Sequence, residues 1–272
     1  MKIETCSIKS NRKSICEDHV VEVRKKGLFA VLDGATPVSD FVDEKGYNGA
    51  VLASRIVGAA IQSTVEPIHV KPCLVNANAQ LLEKMKCAQI PLQQKHERWS
   101  TCAAVVHLTD DRIHYGQIGD CMIFATLRNG DFLVLSTDTV EGISKRAKQH
   151  RERERLKGVA LPDESYFNVR KNALIYNRSL ANVKNGYGVL NGDPAADMYF
   201  HTGSIKREDC CELLLISDGL FPKDKKWEDM FQFISTNGLE RYARDLVSYE
   251  EKHSAYQDDK TGIFIQLATN KR

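Results

Sequence analysis

Two stretches of this chain share one build. Residues 28–34 read LFAVLDG and residues 213–219 read LLLISDG. Each is a short, continuous apolar run, which reads as a strand buried on both faces. Strands of that kind require a layered fold, with something packed above and below the sheet that holds them. Each run also ends on an aspartate, and a glycine follows at once. A carboxylate beside buried residues is costly unless a cation or a donor offsets its charge. The glycine lets the backbone carbonyl turn towards the same point.

A single Asp-Gly is an ordinary turn dipeptide. Here there are two, and an acidic pair stands near each end of the chain, Glu17-Asp18 before HVVEV and Asp258-Asp259 before the run GIFIQL. Carboxylates, a carbonyl and water are the ligands that hard divalent cations prefer. Strand ends brought together in space would form an acidic cup for two metals. Such a pair lowers the pKa of a water and stabilises in-line displacement at phosphorus.

The rest of the chain supplies layers. KIETCSI reads as a first strand, and HVVEVRKK followed by GLFAVLD as a hairpin. Residues 48–63 place Ala53, Ile56, Val57, Ala60 and Ile61 on one helical face, and residues 73–88 do the same with Leu74, Ala77, Leu81 and Met85. STCAAVVHL, DDRIHYGQIGD and CMIFATLRNGDFLVLS follow without helices between them, which argues for antiparallel pairing. Asn129-Gly130 between apolar arms is a hairpin signal. Residues 145–157 carry seven Lys or Arg against two Glu, a solvated helix or a basic rim. Residues 185–200, NGYGVLNGDPAADMYF, are turn-rich and are expected to form a mobile flap. Helices about 227–252 and a last strand in DDKTGIFIQLAT complete the order. We expect one domain over 1–272, with a flap subregion at about 141–204.

Bulk properties narrow the partners. The 272 residues carry a net charge of +2, so nucleic acid and anionic membranes are not expected. No apolar run approaches a membrane span, and the first residues lack a signal-peptide core. None of the eight cysteines forms a CxxC pair, and they read as reduced core thiols. A cytoplasmic protein of unknown oligomeric state is the expectation.

ICEDH, FAVLDGA, STCAAVV, YGQIGDC, LLLISDGL and DDKTGIFI occur in this order between about residue 5 and residue 268. In these motifs the chain resembles the PP2C-type (PPM family) metal-dependent Ser/Thr protein phosphatases. The resemblance implies an α+β fold, a four-layer α-β-β-α sandwich with two antiparallel sheets. It implies hydrolysis of phosphoserine and phosphothreonine in a phosphorylated protein substrate, by a water activated between two Mn²⁺ or Mg²⁺ ions. By position, Asp33 resembles the bridging ligand, Gly34 a carbonyl ligand, and Asp218 and Asp258 direct ligands. Glu17 and Asp18 resemble the pair that holds metal-bound water, and Asp120 an aspartate sometimes linked to a third metal. Lys13 stands where the family often has a phosphate-binding arginine, with Arg12 beside it. Ala35 replaces the family histidine assigned to leaving-group protonation, for which His19 is a candidate substitute. Pro222 replaces a family aspartate, with Asp224 close by. Two other readings are a non-catalytic relative that binds phosphoproteins and a metal-dependent phosphatase of small phosphate esters.

Overall fold

The computed structural model of the protein describes residues 1–224 and 226–267. The last residues of the run DDKTGIFIQLAT, and residue 268 at the end of the family-like region, lie outside them. In chain order the elements are β1 (Lys2–Ile8), β2 (His19–Val23), β3 (Leu28–Gly34), α1 (Gly49–Gln62), α2 (Val70–Cys87), β4 (Thr101–Leu108), β5 (Arg112–Ile118), β6 (Met122–Leu127) and β7 (Phe132–Val134). Then come α3 (Ile143–Leu156), α4 (Arg170–Ser179), β8 (His201–Lys206), β9 (Cys210–Ile216), α5 (Trp227–Asn237), α6 (Leu239–Lys252) and β10 (Lys260–Gln266).

The strands form two five-stranded sheets, ordered β1-β10-β9-β6-β7 and β2-β3-β4-β5-β8, and every pairing is antiparallel. Three apolar layers follow. Ala53, Val57, Leu74 and Leu81 of α1 and α2 pack on Val21, Ala30 and Val105 of the second sheet. Phe29, Val31 and Val106 meet Ile123, Leu213 and Ile263 between the sheets. Phe231, Ile234 and Leu239 of α5 and α6 cover Phe124, Leu214 and Phe264. This is the expected α-β-β-α order.

Local sequence explains the elements that frame the site. Asn48 caps α1 by accepting the amides of Ala50 and Val51 at 3.0 Å each. Gly58 of α1 has no Cβ because the His19 ring fills that space; a Cβ would meet a ring carbon at 2.3 Å. His19 therefore faces the helix layer, on the same side of β2 as Val21, as the two-residue repeat of a strand requires.

Two stretches differ from expectation. Residues 185–200 do not stand off the body: Tyr187, Val189 and Leu190 are buried, and Leu190 pairs with Thr101 through N–O contacts of 2.9 and 3.0 Å. Close packing sets them there, since a Cβ on Gly188 would meet Tyr199 at 2.7 Å. The basic helix α3 is not wholly solvated either. Arg151 is buried, pairs with both carboxylate oxygens of Glu164 at 2.8 and 2.9 Å, and lies 4.1 Å from the Phe167 ring centroid. Arg155 also reaches Glu164, and Lys157 reaches Glu154. Three of the seven cations at 145–157 are thus paired with carboxylates.

Candidate active site

The two Asp-Gly strand ends come from different sheets and meet. Asp33 closes β3 opposite Cys102 of β4, and Asp218 follows β9, whose Ile216 lies opposite Gly262 of β10 and Met122 of β6. Asp33 and Asp218 act on each other directly: repulsion from Asp218 raises the Asp33 pKa, while hydrogen bonding to Asp33 lowers that of Asp218. Asp18 enters from the start of β2, and its Oδ2 accepts the Ser217 hydroxyl at 2.8 Å. Asp120 comes from the turn between β5 and β6, and its Oδ1 is buried with no hydrogen-bond partner.

These carboxyls sit in one repulsive field. Burial, then repulsion from Asp18, Asp218, Asp120 and Asp258, pushes Asp33 well above the usual carboxylate range. Burial likewise takes Asp18 up to about 8, helped by Asp259 and Asp218 and opposed by the Ser217 and Thr261 bonds. Asp120 is pushed up to about 7 by burial and Asp218, and Asp218 up to about 6 by burial and Asp258. Without a counter-cation the cluster holds protons to relieve its charge.

Both glycines are explained by close approach. A Cβ on Gly34 would fall 2.5 Å from the Ala50 carbonyl oxygen and 2.6 Å from that of Glu17. A Cβ on Gly219 would fall 1.8 Å from the Asp259 carbonyl oxygen. Glycine at these positions lets the β3 end seat against α1, and lets the β9 end seat against the entry to β10.

The acidic pairs at the chain ends are tied together. Asp259 accepts the Ser10 amide at 2.7 Å and the Glu17 amide at 2.8 Å. Lys13 Nζ bonds Asp258 Oδ1 at 2.6 Å and Asp259 Oδ2 at 3.1 Å. It also lies 2.7 Å from Glu17 Oε2, an ion pair that misses hydrogen-bond angles. Burial alone would lower the Lys13 pKa, but the bond to Asp258 and the attraction of Glu17 outweigh it and hold the ammonium charged. Glu17 Oε1 accepts the Asn48 amide at 2.7 Å. Arg12, by contrast, is exposed, and its guanidinium stacks over Tyr256, 5.1 Å from the ring centroid.

Asp33, Gly34, Asp218, Asp18 and Asp120 are thus assembled, with Asp258, Glu17 and Lys13 on one rim. His19 is directed into the helix layer, where burial, with Arg55 nearby, lowers its pKa. Asp224 lies in a groove with Lys226 and Tyr242, near α5 and α6. Two contributors, Asn48 and Asp138, escaped the sequence reading, and Asp259 was legible only as half of an acidic pair. Asn48 and Asp259 act through bonds whose partners are distant in the chain. Asp138 follows β7 without a glycine, caps the amides of Val140 and Glu141 at 2.8 Å, and adds to the field on Asp120 and Asp218.

A hard divalent ion suits this donor set, which is all oxygen and includes the partnerless Oδ1 of Asp120. No three acidic, imidazole or thiol groups among the described residues form a ready-made cage around one point. An ion held by Asp258 would replace its pairing with Lys13.

Fold and site together define a phosphatase of the two-sheet sandwich type. The sequence profile of the protein phosphatase 2C family matches residues 9–257, and the chain belongs to that family. Solved structures agree in fold at low identity. The Mycobacterium tuberculosis serine/threonine phosphatase PstP/Ppp has a TM-score of 0.61 at 16% identity, covering 98% of each chain. Serine/threonine phosphatase Stp1 from Staphylococcus aureus has a TM-score of 0.58 at 14% identity, over 98% of this chain and 95% of that one. The catalytic domain of PstP in complex with two manganese ions has a TM-score of 0.61 at 15% identity, over 98% of both. A search of curated proteins finds no match.

Proposed function

We propose that this protein is a metal-dependent phosphatase that hydrolyses phosphoserine and phosphothreonine in proteins, with two Mn²⁺ or Mg²⁺ ions. The observation that carries the reading is the convergence of Asp18, Asp33, Asp120 and Asp218, from four separate strand ends, into one field that raises all four pKa values. The manganese-bound relative of the same fold supports the choice of ion. Asp33, Asp218, Asp258 and the Gly34 carbonyl would hold the ions. When bound, these supply Lewis acidity and a water of lowered pKa.

The chain's own groups do the rest. Ser217 orients Asp18. Asn48 and Lys13 fix Glu17. Lys13 or Arg12 would orient the phosphoryl oxygens, and a guanidinium could do this bidentately. Lys13 adds charge at the same rim. Ala35 offers no proton, and the His19 ring faces α1, so a water or another acid of the site would protonate the leaving alkoxide. Eight free thiols suit a reducing compartment, and we place the protein in the cytoplasm, reversing phosphorylation in signalling. No helix among the described residues is long and apolar enough to cross a membrane.

Turnover of para-nitrophenyl phosphate with Mn²⁺ tests the reading. The wild type is expected to turn over, and Asp33→Asn to lose at least about a hundredfold in kcat. No metal-dependent turnover by the wild type, on this ester or on phosphopeptides, would refute it.

A further inference from the structure

Tyr256 stands two residues before Asp258 and is 45% exposed. Two arginines from distant parts of the chain gather on its ring. Arg12, from the amino-terminal loop, lies 5.1 Å from the ring centroid, and Arg170, the first residue of α4, lies 5.6 Å from it. Both are exposed. Neither is within ion-pair distance of a carboxylate among the described residues, whereas Arg151, Arg155, Arg241 and Arg244 all are.

Two guanidinium ions around one ring repel each other. The aromatic face compensates only in part, since a cation–π contact at an exposed site is weak. An anion placed between or across the two would be favoured, and a guanidinium fork matches a carboxylate. The position matters as much as the charge. Lys13, next to Arg12, is bonded to Asp258, so the pair stands at the rim of the acidic site. The acidic cluster itself cannot attract an acidic peptide. The arginines supply positive charge where such a peptide would enter, one from the body and one from the α3–α4 insertion.

We propose that Arg12, Arg170 and Tyr256 form a substrate subsite that selects phosphopeptides carrying Asp or Glu beside the phosphorylated residue. This rests on the phosphatase reading and names its substrate class. Arg170 is the specificity-determining residue, and Tyr256 positions both guanidinium groups.

The test uses the full chain and phosphopeptides that differ only in having Asp-Glu or Asn-Gln next to the phosphoserine. The wild type is expected to favour the acidic peptide about tenfold in kcat/KM, mostly through KM, and less so at high salt. Arg170→Ala should bring the ratio close to one, and Arg170→Glu should invert it. Tyr256→Leu should also reduce it, and Tyr256→Phe should keep it. Equal rates on both peptides in the wild type, or an unchanged ratio in Arg170→Glu, would overturn the subsite. Para-nitrophenyl phosphate turnover by the wild type separates this from failure of the phosphatase reading. Should that turnover be absent, the Kd ratio of the two labelled peptides decides the subsite by the same criteria.

Discussion

Lys13 and Asp258 are 245 residues apart in sequence and 2.6 Å apart in space, bonded Nζ to Oδ1. Through this contact the amino-terminal loop and the entry to the last strand share one cation. The Lys13 side chain is only 14% exposed, and its ammonium faces Glu17 and Asp259 as well. An internal cation therefore stands beside a carboxylate expected to hold a metal, and the two compete for the same oxygen.

Lys13→Met should shift that competition. The variant is expected to bind Mn²⁺ several-fold tighter by calorimetry, while its metal-free form loses about 3 kcal/mol of stability as Asp259 and Glu17 lose their partner. Weaker Mn²⁺ binding would mean that Lys13 assists the metal instead of opposing it.

Metal-free stability should fall as pH rises. Asp218, Asp120 and Asp18 have folded-state pKa values of about 6, 7 and 8, above the 3.8 of an ordinary aspartate. A raised carboxyl pKa gives a contribution fully present below the unfolded value and lost as pH climbs through the folded one. Melting in EDTA should therefore drop between pH 5 and pH 8. Added Mn²⁺ should raise Tm more at pH 8 than at pH 6. A Mn²⁺ shift independent of pH would speak against a cation relieving this cluster.

Two glycines should respond differently to alanine. Gly219→Ala drives a methyl into the Asp259 carbonyl and is expected to cost about 3 kcal/mol in urea unfolding. Gly130, at φ +92° in the β6–β7 turn, has nothing within 4 Å of a built Cβ. Gly130→Ala should cost about 1 kcal/mol, from backbone conformation alone. Equal losses would remove the steric account of the second Asp-Gly.

Lys260 and Glu250 form a buried pair at 2.6 Å, with side chains 1% and 2% exposed. Lys260 Nζ also donates to the Asp258 carbonyl at 3.1 Å, so the pair steadies the loop that carries Asp258. Lys260→Met is expected to cost about 3 to 5 kcal/mol. Adding Glu250→Leu should recover part of it in a double-mutant cycle, because the buried carboxylate that keeps only Lys223, at 2.9 Å, is then gone. Additive losses would show that Lys260 acts on Asp258 alone.

The sequence by itself determined the layers and much of the acid cluster. Apolar strands, helical faces and the hairpin with Asn129-Gly130 are short-range patterns, and so is an aspartate held between an apolar strand and a glycine. These signals sit within a few neighbours, so the residues alone carry them. The role of Asn48 and the bonds of Asp259 were invisible because their partners, Glu17 and Ser10, lie far away in the chain, and Asp138 because its field reaches Asp120 and Asp218 through space. The face of β2 that His19 occupies followed only from which side α1 covers, and the engagement of Lys13 followed from where β10 begins relative to β2. Arg12 and Arg170 met over Tyr256 only once the insertion folded back against the amino-terminal loop. Burial and electrostatics depend on distances in space, and strand register across more than two hundred residues sets those distances.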